Sequence, residues 1–342
     1  MAGGVGSRFW PASTEARPKQ FLDILGLGRS LLQLTYDRYR KLGLTAEDIW
    51  IITSERYISL VSEQLPDVPT SQIIGEPSRK NTAPAAYLGN KLIKEKVGDA
   101  IVIMAPSDHH IEDDATFQKI IGIGQGFLEE VDAMITIGIK PDFPHTGYGY
   151  IAYERNGEAP HKVNSFTEKP NLDKATEFLK AGGYLWNAGI FMWHVNTLDQ
   201  AFVKHSPVIK HTIDQYVVST DGQVVAESLK LAFDQIQDAS IDYEIMERAT
   251  NVYTIPADFQ WSDLGSWKSL YDKSEKDKDE NVDLSDQSLL KDASGNLIFV
   301  PGKRVIVKGL KDYMIIEEND TLVISPLSSN QDVKLWRNHF EE

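Results

Sequence analysis

The chain has no cysteine. That excludes a disulfide framework and a thiolate zinc site, so chemistry has to come from carboxylates, cations, amides and the backbone. No apolar run reaches membrane length and no secretory leader is present, so a soluble cytoplasmic protein with no membrane partner is expected. Positive charge is also short: 35 Lys and Arg stand against 50 Asp and Glu, a net charge of −15. That balance argues against nucleic acid or an anionic membrane as the partner. An acidic chain that handles polyanions has to gather its cations locally and recruit a metal.

Two common phosphate motifs are missing as well. A Walker A loop needs Lys at a fixed offset after its glycines, and none stands there; the dinucleotide fingerprint would begin at Gly4 but meets Phe9 where its third glycine belongs. What is present is a different glycine run, MAGGVGSRFWPASTEARPKQFL over residues 1–22. Gly3, Gly4 and Gly6 leave room for successive backbone N–H groups to face one concavity, and Arg8, Arg17 and Lys19 bring cations beside it. The stretch reads as a triphosphate clamp. Only Met1 and Ala2 precede it, whereas such a loop leaves the end of a buried strand, so an upstream apolar segment in the natural protein is expected.

With 342 residues and 42% hydrophobic content, one large domain with a small appendage is expected. Residues 31–42, 57–64, 83–97 and 117–130 have helical spacing, while 48–53, 72–74, 100–104 and 133–138 read as strands. The alternation predicts an α/β, Rossmann-like domain with a mostly parallel central sheet covered on both faces and function at the strands' carboxyl ends. Residues 148–153, 163–167 and 190–193 look like strands of an inserted subregion, and 195–231 is mainly helical. KSEKDKDE over 273–280 has no apolar residue and reads as solvated linker. The expected organisation is therefore a 1–272 domain, a 273–283 linker and a 284–342 β unit. Strands at 296–300, 304–307, 313–316 and 321–324, spaced by roughly eight to nine residues, suggest a short left-handed β-helix. The apolar Ile298, Val300, Val305, Val307, Ile315 and Val323 look exposed there, so the tail should dock on the main domain or on a second copy, making a homodimer.

Two acids stand out. Asp108 follows the strand at 100–104, and Asp263 lies in WSDLGSW over 261–267. Asp108, just past the strand's carboxyl end, is placed to hold magnesium on phosphate oxygens, with a cap or turn role as the alternative; Asp263, taken alone, reads as a helix N-cap. Asp108-His109-His110 also resembles the DHH signature of phosphoesterases, but the upstream carboxylate motifs of those enzymes are missing.

The glycine run with RFWP and RPKQF resembles the signature of sugar-1-phosphate nucleotidyltransferases, in particular mannose-1-phosphate guanylyltransferases. Further motifs follow in that family's order: GEPSRKNTAP over 75–84, APSDH over 105–109, TGYGY over 146–150, FTEKP over 166–170, YLWNAGIF over 184–191 and WSDLGSW. The resemblance implies transfer of GMP from GTP to α-D-mannose 1-phosphate, giving GDP-mannose and diphosphate with magnesium. It implies catalytic roles for Arg8, Lys19, Asp108, Lys169 and Asp263, with Asp108 and Asp263 sharing the metal. Gly3, Gly4, Gly6, Arg8, Lys19, Glu76, Asn81, Thr82 and Asp108 would bind the nucleotide, and Gly147, Glu168, Lys169 and Asn187 the sugar phosphate. Without the resemblance, Asn81 reads as the cap of the helix at 83–97. Longer relatives carry an added cupin-like isomerase domain; a monofunctional enzyme is expected here. A sister enzyme with another base or hexose, and an inactive regulatory subunit that binds nucleotide sugars, both stay open.

Overall fold

A computed structural model describes residues 1–4, 6–220 and 223–341. They form two compact units, each drawn from separate stretches: Met1–Gly3, Arg38–Pro106 and Ile111–Trp261 in the first, Gly4–Asp37, Ser107–His110 and Ser262–Glu342 in the second.

The first unit is built on a six-stranded sheet in the order Ile101–Met104, Tyr184–His194, Met134–Ile139, Val252–Ala257, His161–Thr167 and Tyr150–Tyr153. Its central strand alternates as a two-faced strand must: Phe191 and Trp193 enter one apolar cluster, Ile190 and Met192 the other. The helices Thr82–Val97 and Val195–His205 cover the first face, and Asp114–Glu130 the second. The α/β class and the double cover are as expected, but strand direction needs correction. Tyr184–His194 runs antiparallel to all three strands it pairs with, Ile101–Met104, Met134–Ile139 and Tyr150–Tyr153, and among the described residues only Met134–Ile139 with Val252–Ala257 is a parallel pair in this sheet. The stretch read as an inserted subregion supplies that central strand. Its Asn187 and left-handed Gly189 disguise it as a turn, and a register shift between Thr136 and Gly138 opens a bulge there. A separate parallel pair joins Ile51–Ser54 to Ile73–Glu76, and Ala2 bridges Thr53 in parallel. Among the described residues no helix is long and apolar enough to cross a membrane.

In the second unit the tail stacks Val282–Asp283, Leu297–Phe299 and Tyr313–Glu318 as parallel neighbours, and Gln287–Lys291 on Arg304–Lys308 as a second parallel pair. The short sequence spacing was thus half of a longer coil. The first strand, Val282–Asp283, falls inside the stretch expected to be linker. The apolar residues expected on its surface need correcting too: Ile298, Val300, Val307 and Ile315 are buried together in the tail's own core. Facing strands supply both walls of that core, which strand-by-strand reading misses.

Asparagines hold the coil ends in register. Asn296, fully buried, receives N–H bonds from Tyr313 on its Oδ1 and donates from Nδ2 to Asn281 Oδ1 and the Leu310 carbonyl. Asn281 in turn accepts from the Asn296 backbone N–H. Asn296→Ala strands several buried partners and should destabilise the fold by about 2–4 kcal/mol, read as a lower urea midpoint. An unchanged midpoint would show that the ladder contributes nothing.

Candidate active site

Within the second unit, a cavity of about 300 Å³ is lined by Gly6, Arg8, Lys19, Asp108, Asp263 and Lys334. Gly6 turns the chain with φ 59°, and a Cβ there would lie 2.4 Å from Lys19 Cβ, so conformation and space both require glycine. The short turn Ser7–Phe9 follows, with Phe9 buried edge-on against Trp267 at 4.9 Å. Trp267 also donates its indole N–H to the Trp10 carbonyl, 3.1 Å away. Arg8 is thereby carried on an anchored turn.

Lys19 is 4% exposed, and all three of its ammonium protons are spoken for. They go to Asp108 Oδ2 at 2.9 Å, the Asp263 carbonyl at 2.8 Å and the Leu264 carbonyl at 3.1 Å. The expected phosphate-holding lysine is therefore the tie between the two acidic segments. Burial works to raise the Asp108 pKa, but Lys19, helped by His109, holds its carboxyl below the usual aspartate range. Leu264 sits at φ 42°, a strained conformation for a bulky residue, while its side chain is fully buried. The turn directs the Asp263 carboxylate back onto the Gly265 N–H at 3.1 Å.

Neither acid is a helix cap. Asp113 caps the helix after Asp108, and Ser266 caps Trp267–Lys273 after Asp263. By contrast Arg8 and Lys334 carry no ion pair or hydrogen bond among the described residues while lining the cavity. Lys334, on the helix Val333–Glu341, escaped sequence reading because it belongs to no motif and is remote in the chain.

The first unit gathers the residues expected to bind the sugar phosphate. Glu168 pairs with Lys169 at 2.6 Å. Lys169, at φ 44°, is pulled down by partial burial, yet the Glu168 hydrogen bond and charge raise its pKa overall. A Cβ on Gly149 would lie 2.4 Å from Glu168 Oε2 and 3.4 Å from Asn187 Cβ. The expected Gly147 instead donates its N–H to His145 Nδ1, so Gly149 is the glycine at this place. Two glycines of one TGYGY motif cannot be separated without the fold.

On the base side, Glu76 ends the strand Ile73–Glu76 with Oε1 buried and without a hydrogen-bond partner, and Gly3 lies against its other oxygen. Burial pushes its carboxyl up to about 7, against the opposing charges of the N-terminus and Arg79. Asn81 does cap its helix, accepting from the Thr82 N–H at 2.9 Å, and its amide donates to Asp238. Thr82 Oγ1 accepts from the Ile241 N–H at 2.9 Å. The side chains of Asn81 and Thr82 are thus engaged within the protein.

A cavity of about 300 Å³ lined by cations and non-capping carboxylates, in an α/β protein, suits an enzyme class that handles phosphate groups. Comparison supplies the family: the nucleotidyl transferase model matches residues 1–280, and the chain belongs to that family of enzymes. It is 33% identical to a mannose-1-phosphate guanylyltransferase of Escherichia coli, over 98% of this chain and 71% of the relative. It is 34% identical to the alginate biosynthesis protein AlgA of Pseudomonas aeruginosa, over 98% of this chain and 70% of that one. A solved Thermus thermophilus structure, described as a mannose-1-phosphate geranyltransferase, is 27% identical and superposes with a TM-score of 0.87, covering 100% of this chain and 98% of that one.

Lys19→Met removes the tie and leaves Asp108 and two carbonyls without it. It should cost about 2 kcal/mol at neutral pH, the low side for breaking a buried pair because Asp108 keeps 29% exposure. Since the folded Asp108 pKa is depressed, its contribution exists above the ordinary aspartate range and is lost as pH falls through the folded value. The gap between variant and parent should therefore narrow as pH falls below about 4, the share from the two carbonyls remaining. Equal urea midpoints at pH 7 would exclude the tie.

Proposed function

We propose that this chain transfers GMP from GTP to α-D-mannose 1-phosphate, releasing diphosphate and GDP-mannose. The observation that carries the reading is the cavity of the second unit, where Asp108 and Asp263 cap neither following helix and the side chains of Arg8 and Lys334 have no ion pair or hydrogen bond among the described residues. Relatives named for guanylyl transfer to mannose 1-phosphate supply the base and the sugar. The sugar phosphate oxygen attacks the α-phosphorus in line as the bond to diphosphate breaks, so no protein nucleophile is needed. Arg8 and Lys334 hold the departing phosphates, Lys169 meets the incoming one, and Glu168 and Asn187 bind sugar hydroxyls. Lys19 contributes by fixing Asp108 and the 263–264 turn.

The residues fit magnesium. Both acids are hard oxygen donors, and among the described residues no cluster of three or more His, Cys, Asp or Glu could hold an ion on protein ligands alone. That suits a metal kept by one or two carboxylates plus substrate phosphates and water. Asp108 and Asp263 would hold it, and when bound it would offset charge building on the α-phosphate. A homodimer and a cytoplasmic location belong to this reading as well. The dimer rests on exposed Leu289, Ile306, Leu322 and Ile324 of the tail, not on the residues buried in its core. Light scattering at micromolar concentration that reads a monomer would remove it.

Diphosphate release measured across four nucleoside triphosphates and several hexose 1-phosphates tests the reading; best turnover with any other pair would redirect it. Asp108→Asn and Asp263→Asn should each lower turnover by about a hundredfold. Lys169→Ala should raise the KM for mannose 1-phosphate. Near-normal activity of both Asn variants at limiting magnesium would abolish the carboxylate assignment.

Glu76 gives a pH test of base recognition. Guanine offers two N–H donors on one edge, and an ionised carboxylate accepts both, so binding favours loss of the Glu76 proton. With a free pKa of about 7, GDP-mannose binding should release protons between about pH 5 and 7, and affinity should rise with pH up to about 7 and then level. Calorimetry in buffers of different ionisation heat measures the release, which Glu76→Gln should abolish. Undiminished release in that variant would place base recognition elsewhere.

A further inference from the structure

Asn187 has little freedom left. Its Oδ1 accepts from Thr136 Oγ1 at 2.9 Å and from the Gly189 N–H at 3.0 Å, filling both lone pairs. Its Nδ2 donates one proton to Asp242 Oδ1 at 2.9 Å. The Gly189 amide can only donate and a carboxylate only accept, so the amide's orientation is settled chemically. One N–H remains. The bulge beside Thr136 and Gly138 directs this residue, and its backbone N–H is held by the Gly149 carbonyl at 2.8 Å.

Asp242 is itself held. Ser240 Oγ donates to its Oδ2 at 2.8 Å and accepts from its N–H at 3.1 Å. Asp242 opens a single π-helical turn, Asp242–Met246, an irregularity that recurs at functional sites. The preceding residues are tied to the base-side loop. Ala239 N–H donates to the Lys80 carbonyl, the Ala83 N–H to the Ala239 carbonyl, and Ile241 N–H to Thr82 Oγ1. Nothing in the motif order pointed to residues 238–242. Their side chains and backbone nonetheless link the loop beside Glu76 to the sugar-side amide.

We propose that Asp242 is a positioning residue for sugar recognition: through its bond to Asn187 it aims the second amide N–H, which has no partner among the described residues, at a single sugar hydroxyl, on a segment braced by the 80–83 loop. This rests on the guanylyltransferase reading. Asp242 touches no reacting atom, and it acts on which hexose 1-phosphate is accepted. Burial and the neighbouring Glu168 charge raise its pKa, so it is a group kept from water by its surroundings. The hydrogen bond to Asn187 needs only an acceptor at Oδ1 and survives in either protonation state.

The test uses the full chain, mannose 1-phosphate and its four monodeoxy analogues at carbons 2, 3, 4 and 6. Synthesis of GDP-mannose by the parent enzyme is the first readout; its absence sinks the functional reading and leaves this inference without a substrate. Given activity, Asp242→Ala should raise the KM for mannose 1-phosphate at least tenfold and leave the KM for GTP within about twofold. Asp242→Asn, which keeps an acceptor, should recover most of the loss. One deoxy analogue should be poor for the parent enzyme and suffer no additional penalty in Asp242→Ala, because the hydroxyl that Asn187 meets is already gone. An equal penalty on all four analogues, a matching rise in the KM for GTP, or no recovery with Asp242→Asn would each make Asp242 merely structural and overturn the proposal.

Discussion

A single buried ammonium organises the second unit. Stripping water from a lysine headgroup costs several kcal/mol and is recovered only when every proton finds an acceptor. Lys19 has three acceptors, from Asp108 and from two consecutive carbonyls at 263 and 264. Loss of any one leaves a buried charge underserved, so the three segments are fixed together or not at all. Other features follow from this demand. Gly6 is glycine because Lys19 Cβ occupies the space a side chain would need. The Leu264 backbone tolerates its left-handed conformation because both its carbonyl and its buried side chain are engaged.

The same tie decides which cations are available to substrate. A lysine whose protons are all committed is a poor phosphate ligand, and in a chain with net charge −15 free cations are scarce. Arg8 and Lys334 line the cavity, and among the described residues their side chains have no ion pair or hydrogen bond. In the first unit Lys169 is paired with Glu168, an adjacent residue, at 2.6 Å. The lysine of that pair is mostly exposed and easily exchanged, whereas Lys19 is buried. On the proposed reading, a phosphate takes Lys169 from Glu168 and frees the carboxylate for sugar hydroxyls.

Much of this was legible in the sequence where one residue type implies one requirement. The glycine run with RFWP and RPKQF marked residues that line the cavity, Gly6, Arg8 and Lys19 among them, and alternation of apolar runs marked the α/β class. The illegible parts depended on contacts distant in the chain. Whether Lys19 binds phosphate or protein depends on carbonyls some 245 residues away. Only residues 190–193 of the central strand were legible; its first half was hidden because Asn187 and Gly189 imitate a turn, though they lie at a bulge. Lys334 and Asp242 lie outside any motif, and only folding brings each to its place.

Capping supplies the sharpest distinction between structural and chemical carboxylates. A helix start needs an acceptor for its orphan N–H groups, and Asp, Asn and Ser serve interchangeably, so a sequence cannot tell a cap from a ligand. The fold can. Asn81, Asp113 and Ser266 each accept a bond from their helix and so have a structural use. Asp108 and Asp263 stand within a few residues of two of these caps and serve neither helix. Evolution of a mere helix start would not need a second acid beside a sufficient cap. Strained backbone points the same way: Leu264 next to Asp263, and Lys169 next to Glu168, both hold left-handed conformations that bulky residues avoid. Each such residue costs about 1–3 kcal/mol that the fold must offset elsewhere. That cost falls at the cavity turn and at the sugar-side pair, where a side chain has to be delivered at one angle rather than any convenient one.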